Sequence, residues 1–130
     1  DAPRRPVMKL YIVDDDEPVR RALSLLARSE GLEVETFDGG AAFLAAIEGV
    51  DPDALSGCLL LDICMPGMDG IETLGQVLSR DNTIPVILHT AYSSYKDNFM
   101  TWSADAYVVK SSDLKELKTK LIEVLAKQKS

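Results

Sequence analysis

Four chemically capable groups stand at the ends of apolar runs in this chain. Val13 is followed by Asp14, Asp15 and Asp16, Leu61 by Asp62, His89 by Thr90, and Val109 by Lys110. A carboxylate can serve as nucleophile, base or metal ligand, a hydroxyl can donate to an anion, and an ammonium can neutralise one. Asp62 is the first candidate for the working residue. The run Cys58-Leu59-Leu60-Leu61 reads as a short strand covered on both faces, and Asp62 stands at its carboxyl end. Taken alone, an aspartate just before Met65-Pro66-Gly67 reads equally well as a turn or cap residue.

The flanking pattern supplies the elements that must position these groups. Met8–Val13 is rich in strand formers and runs into the three acids. Asp16 suits an N-cap and Pro18 the first turn of a helix. Val19, Leu23, Leu26 and Ala27 recur on its inner face, Arg20, Arg21, Ser24 and Arg28 face outward, and Gly31 ends it. Leu32–Phe37 alternates as an edge strand would, and Asp38-Gly39-Gly40 leads into a helix over Ala41–Glu48 that Gly49 stops. Val50–Gly57 reads as a loop.

After the central strand, Asp69 and Glu72 resemble a capping box, and Ile71, Leu74 and Leu78 mark a helix to about Arg80. Pro85–His89 is a fourth strand and Ala106–Val109 a fifth, with a weak helix over Tyr95–Met100 between them. The last helix is expected from Ser112 or Asp113. It turns Leu114, Leu117, Leu121, Val124 and Leu125 to the core, with Lys115, Glu116, Lys120, Glu123 and Lys127 elsewhere. Five strands alternating with five helices over such short crossovers require a parallel sheet covered on both sides, a doubly wound α/β domain.

The 130 residues are 46% apolar and 27% charged, which fits a single globular domain. Its expected limits are residues 8–127, with 1–7 a disordered leader or a cloning remnant and 128–130 a tail. A net charge of −7 argues against direct nucleic-acid binding. No apolar run approaches membrane-spanning length, so the chain is expected to be cytoplasmic with no membrane contact. Cys58 and Cys64 lie too far apart along an extended strand for a disulfide and are expected to be reduced.

If the strands are parallel, their carboxyl ends bring Asp14, Asp15, Asp62, Thr90 and Lys110 to one rim. Two carboxylates about 5 Å apart repel by roughly 3 kcal/mol at an effective dielectric of 20. Three acids and one ammonium sum to −2, which one Mg²⁺ cancels, and an oxygen-only ligand set favours Mg²⁺ over zinc. Mg²⁺ commonly shares its shell with phosphate. A carboxylate nucleophile would then give an aspartyl phosphate.

Val13-Asp14-Asp15, Leu61-Asp62 with Met65-Pro66-Gly67-Met68-Asp69-Gly70, Thr90-Ala91 and Tyr107-Val108-Val109-Lys110 together resemble the receiver domain of bacterial two-component response regulators, the CheY-like family. The resemblance covers Met8 to Leu125. It implies a flavodoxin-like strand order 2-1-3-4-5. Asp62 would accept a phosphoryl group from a histidine kinase or phosphotransfer protein. Asp15 and Asp62 would bind Mg²⁺ directly, Asp14 through a water, and the Cys64 carbonyl would complete the protein's share of the shell.

Thr90 would hydrogen-bond the phosphoryl oxygens and Lys110 would pair with them. Tyr107 matches the aromatic that turns inward when Thr90 moves, coupling the site to the face of the fourth helix, fifth strand and fifth helix. The family is a signalling module rather than an enzyme, although it promotes its own phosphorylation and dephosphorylation. Its partners would be the kinase, an output domain or partner protein, and a second copy on activation. The first half is similar to receivers of the FixJ type, and Thr90 onward to another receiver subgroup.

Two departures from the family pattern carry expectations. Ser111 replaces the usual proline after the lysine, so the Lys110–Ser111 bond is expected to be trans, a cis bond there costing roughly 3–4 kcal/mol. The resemblance implies that Cys64 and Tyr92 stand at the two positions that gate water, and neither carries a carboxylate or amide, which predicts slow loss of phosphate. A haloacid-dehalogenase-type phosphatase would need an acid where Cys64 stands, and a flavin protein a phosphate-cradling loop where the three acids stand. His89 reads as a buried strand residue, Asp16 as a cap, and Phe99 and Trp102 as core or partner-facing aromatics.

Overall fold

Short apolar runs, together with the alternating edge segment Glu33–Phe37, build five strands. They are β1 (Lys9–Val13), β2 (Glu33–Phe37), β3 (Gly57–Leu61), β4 (Val86–Thr90) and β5 (Ala106–Val109). The helices are α1 (Glu17–Ser29), α2 (Gly40–Ile47), α3 (Gly70–Arg80) and α4 (Lys115–Lys127). The computed structural model describes residues 9–49, 57–62, 70–80, 84–91, 104–111 and 113–127. The helix expected over Tyr95–Met100, the Asp69 cap, Phe99, Trp102 and both chain ends lie outside these residues.

All strand pairs are parallel, in the order β2-β1-β3-β4-β5, as the sequence predicts. Central β3 is buried along its whole length, whereas edge strand β2 exposes Glu33, Glu35 and Thr36. Gly57, expected in the preceding loop, is the first residue of β3, opposite Lys9.

Alternation along the strands divides the core between the two sheet faces. One layer joins Tyr11, Val13, Leu59, Leu61 and Leu88 to Phe43 and Leu44 of α2 and Leu74 and Val77 of α3. Phe43 anchors it, edge-on to Phe37 at 5.2 Å and tilted to Tyr11 at 5.6 Å between ring centroids. The other layer joins Leu10, Ile12, Cys58, Leu60, Ile87 and Val108 to Leu23 and Ala27 of α1 and Leu117, Leu121 and Val124 of α4. Cys58 is a free, buried thiol in this layer.

Helix α1 starts as expected, with the Asp16 side chain accepting from the Val19 N–H and Pro18 in the first turn. Gly31, with φ +80°, turns the chain away after it. Two of its residues depart from the outward expectation. Ser24 is buried and its hydroxyl donates to the Arg20 carbonyl at 2.7 Å, so its hydroxyl is satisfied within the helix. Arg20 is half-buried because its side chain reaches back to the turn before the helix.

Helix α4 begins at Lys115, later than Ser112 or Asp113. Ser111 Oγ accepts from the Asp113 N–H at 3.1 Å and Asp113 Oδ1 from the Lys115 N–H at 3.0 Å, so side chains take up N–H groups ahead of the helix. Its leucine face packs as the spacing predicts. The Lys110–Ser111 bond is trans. No helix among the described residues is long and apolar enough to cross a membrane.

Candidate functional site

Strand register places the reactive groups together. Val13 is opposite Leu61, so β1 and β3 end level with each other and release Asp14 and Asp62 side by side. The backbone continues the ladder past the strand ends. The Asp62 N–H donates to the Val13 carbonyl at 2.9 Å, the Asp14 N–H to Phe37 at 3.1 Å, and the Lys110 N–H to Thr90 at 2.6 Å. Each side chain thus leaves from a hydrogen-bonded backbone, which limits its spread.

Asp14 and Asp62 are buried, at 1% and 3% exposure, while Asp15 is exposed. Lys110 bridges the buried pair, its Nζ lying 3.0 Å from Asp62 Oδ2 and 2.9 Å from Asp14 Oδ2. The first contact is a well-formed hydrogen bond. The second is an ion pair, and apart from this ammonium Asp14 Oδ2 has no donor among the described residues. Burial disfavours the ammonium of Lys110, but its contacts with Asp14 and Asp62 outweigh that and raise its pKa above the ordinary lysine value.

Asp14 Oδ1 accepts the Asp16 N–H at 2.9 Å, and the Asp14 carbonyl accepts Arg20 Nη1 at 2.6 Å. Oxygen atoms from Asp14, Asp15 and Asp62 lie within 4.8 Å of one another. Three carboxylates around one ammonium, with a buried oxygen lacking any other donor, fit a small hard divalent cation such as Mg²⁺. Asp14, Asp15 and Asp62 would hold it. The expected carbonyl ligand at Cys64 and the gating position Tyr92 lie outside the described residues.

Thr90 ends β4 fully buried. Two residues before it, Leu88 is the register partner of Tyr107, which is half-buried against the α2–α3 core layer. By strand alternation Thr90 and Tyr107 share that sheet face, on adjacent strands. His89 points to the opposite face, where it and Lys110 border a cavity of about 270 Å³ lined by Pro18, Ala22, Leu23 and Leu114. It is a buried strand residue as expected, yet its Nδ1 has no hydrogen-bond partner. Burial, and then the nearby Lys110 charge, lower its pKa to about 4, so the ring is neutral.

The sequence reading brought together Asp14, Asp15, Asp62, Thr90 and Lys110, and the structure gathers all five at one sheet edge. It missed Arg20. Helical side chains tilt toward the N-terminus, so an arginine in the first turns can reach the preceding loop, and that tilt was the available signal.

A doubly wound sheet with an oxygen-lined cation pocket at its carboxyl edge defines the class of molecule. Residues 10–122 match the family described as the response regulator receiver domain. The chain belongs to that family. It is 36% identical to the regulatory protein AtoC of Escherichia coli over 113 residues, 85% of this chain and 24% of AtoC. It is likewise 36% identical to the transcriptional regulatory protein FixJ of Bradyrhizobium diazoefficiens over 83 residues, 64% of this chain and 38% of FixJ. The chain therefore spans well under half the length of these relatives.

Among solved structures, it resembles the response regulator TrrA of Thermotoga maritima in complex with Mg²⁺-BeF. The TM-score is 0.80 at 34% identity, covering 91% of this chain and 99% of that one. TrrA has also been solved in complex with the histidine kinase ThkA, with a TM-score of 0.79 at 34% identity over 92% of this chain and 99% of that one.

Proposed function

We propose that Asp62 accepts a phosphoryl group from a phosphohistidine donor on a partner kinase or phosphotransfer protein, and that Asp15 and Asp62 directly, with Asp14 through a water, hold the Mg²⁺ this transfer requires. The observation that carries the reading is the Lys110 bridge between Asp14 and Asp62 at the end of the central strands. The TrrA complexes with Mg²⁺-BeF and with a histidine kinase support the cation and the donor class.

In the transfer, an oxygen of Asp62 attacks phosphorus, the donor's N–P bond breaks with its electron pair going to the ring nitrogen, and an acyl phosphate forms on Asp62 as the imidazole, protonated on its other nitrogen, leaves neutral. Little covalent work falls to the protein, so positioning and charge neutralisation dominate. Asp62 is held by its backbone bond to Val13 and by Lys110. Lys110, already paired with Asp62 Oδ2, is within reach of the oxygens that would gather charge there. The Thr90 hydroxyl donates to them from β4. When bound, Mg²⁺ neutralises the carboxylates and the developing phosphoryl charge.

Phosphate would draw Thr90 toward the site and leave space on the sheet face that Tyr107 shares, shifting the packing beside β5 and α4. The same pocket would promote phosphorylation and dephosphorylation of its own Asp62, with Cys64 and Tyr92 slowing the loss. The work would be cytoplasmic, and its output would pass to a further domain or a partner protein, the role suited to a chain matching only part of AtoC and FixJ. The test is incubation with a small acyl phosphate donor, with Mg²⁺ or with chelator, read by intact mass. Gain of one phosphoryl group only with Mg²⁺ supports the reading, and equal gain in chelator contradicts it.

A further inference from the structure

The exposed acid of the pocket, Asp15, has no hydrogen bond or ion pair of its own side chain among the described residues. Its direction is set by the peptide unit that joins it to Asp14. That unit is pinned from one side by Arg20, whose Nη1 donates to the Asp14 carbonyl at 2.6 Å. Fixing that carbonyl fixes ψ of Asp14 and φ of Asp15 together, and with them the line along which the Asp15 side chain leaves the backbone. The neighbouring contacts make the clamp stiff. Asp14 Oδ1 takes the Asp16 N–H, the Arg20 N–H donates to the Asp16 carbonyl at 2.9 Å, and the Ser24 hydroxyl holds the Arg20 carbonyl.

We propose that Arg20 is a positioning residue that aims Asp15 at the cation by clamping the Asp14–Asp15 peptide. The inference rests on the Mg²⁺ reading given above and deepens it. It carries a sign that a simple charge effect does not. Arg20 is a cation near three acids, so as a charge alone it repels Mg²⁺, and its removal would tighten binding. As a clamp, its removal loosens Asp15 and weakens binding. Partners behind a metal ligand typically change affinity by about 10–100-fold when removed. Because the lost repulsion acts in the opposite direction, we expect roughly tenfold weaker binding for Arg20→Ala.

Arg21 provides the matched control. It lies on the same helix and carries the same charge, but is exposed and paired with Glu17 at 2.7 Å, and it makes no hydrogen bond or ion pair with Asp14. The experiment is calorimetric titration of Mg²⁺ into the wild-type chain, Arg20→Ala, Arg20→Lys and Arg21→Ala, with unfolding in chelator measured for each. The clamp predicts a roughly tenfold higher Kd for Arg20→Ala, partial recovery for Arg20→Lys, and unchanged or slightly tighter binding for Arg21→Ala. It also predicts that the affinity loss exceeds anything the unfolding midpoints account for. Binding by Arg20→Ala as tight as by Arg21→Ala would overturn the clamp while leaving the Mg²⁺ site standing. No Mg²⁺ binding by the wild-type chain would overturn the site itself, and the clamp with it.

Discussion

The ammonium of Lys110 donates to Asp62 Oδ2 at 3.0 Å while lying 2.9 Å from Asp14 Oδ2, so one lysine from the end of β5 bridges two buried acids from the ends of β1 and β3. Without it, Asp14 and Asp62 would face each other with no counter-charge. Lys110→Met should therefore lower stability in chelator by roughly 1–3 kcal/mol, less than for a fully buried pair because Lys110 is partly exposed. Saturating Mg²⁺ should restore much of that loss. Denaturant unfolding with and without Mg²⁺ checks this, and an equal loss in both would show that Lys110 stabilises by packing instead.

His89 gives the fold a defined acid sensitivity. Its pKa falls to about 4 in the folded chain, through burial and then Lys110, against about 6.5 when unfolded. Between those values the unfolded state binds the extra proton, so stability declines as pH falls from about 6.5 to 4, by about 3 kcal/mol in all. His89→Leu should flatten that part of the profile. Comparing urea unfolding of both chains from pH 7 to pH 4 subtracts the shared carboxylate contribution. Parallel profiles would mean that the ring finds a partner as it protonates.

Helices α2 and α3 meet where there is no room for a side chain. A methyl at Gly40 would run into Thr73 Oγ1 and crowd its Cβ and Cγ2 at 3.0 and 3.1 Å. Gly40→Ala should cost about 1–3 kcal/mol, seen as a lower thermal midpoint. Adding Thr73→Ala removes two of the three crowded atoms, so the double variant should lose less than the sum of the two single changes. Strict additivity would place the strain elsewhere.

Asp14 and Asp15 are neighbours in sequence but differ in setting, the first buried against Lys110 and the second exposed. Asp15→Ala should weaken Mg²⁺ binding more than Asp14→Ala, because only Asp15 is expected to touch the ion. Titration calorimetry ranks the two, and the reverse order would place the ion on the Lys110 side of the pocket.

Much of the fold was legible because each strand begins or ends at a residue that cannot continue it. Asp14 and Asp62 stop buried runs, Gly31 breaks α1 with a positive φ, and Leu117, Leu121 and Val124 repeat at helical spacing. The site followed because acids at the ends of parallel strands converge whatever the loops do. What escaped depended on reach rather than pattern. Arg20 looks like any exposed helical arginine until its tilt toward the Asp14 carbonyl is seen. Ser24 fills a polar position whose hydroxyl is satisfied within its own helix. Ser111 and Asp113 delay α4 by capturing N–H groups locally, a competition that periodicity does not register.

The central claim is that Asp62 is the phosphoacceptor, and phosphoryl labelling of Asp62→Asn beside the wild-type chain tests it most directly. The change is nearly isosteric and keeps an oxygen facing Lys110, so the fold should survive, as circular dichroism and the unfolding midpoint would report. With a small phosphodonor and Mg²⁺, the account predicts a single phosphoryl group, labile to base and to hydroxylamine as an acyl phosphate is, on the wild-type chain and none on Asp62→Asn. Labelling of a folded Asp62→Asn chain at the wild-type rate would contradict it.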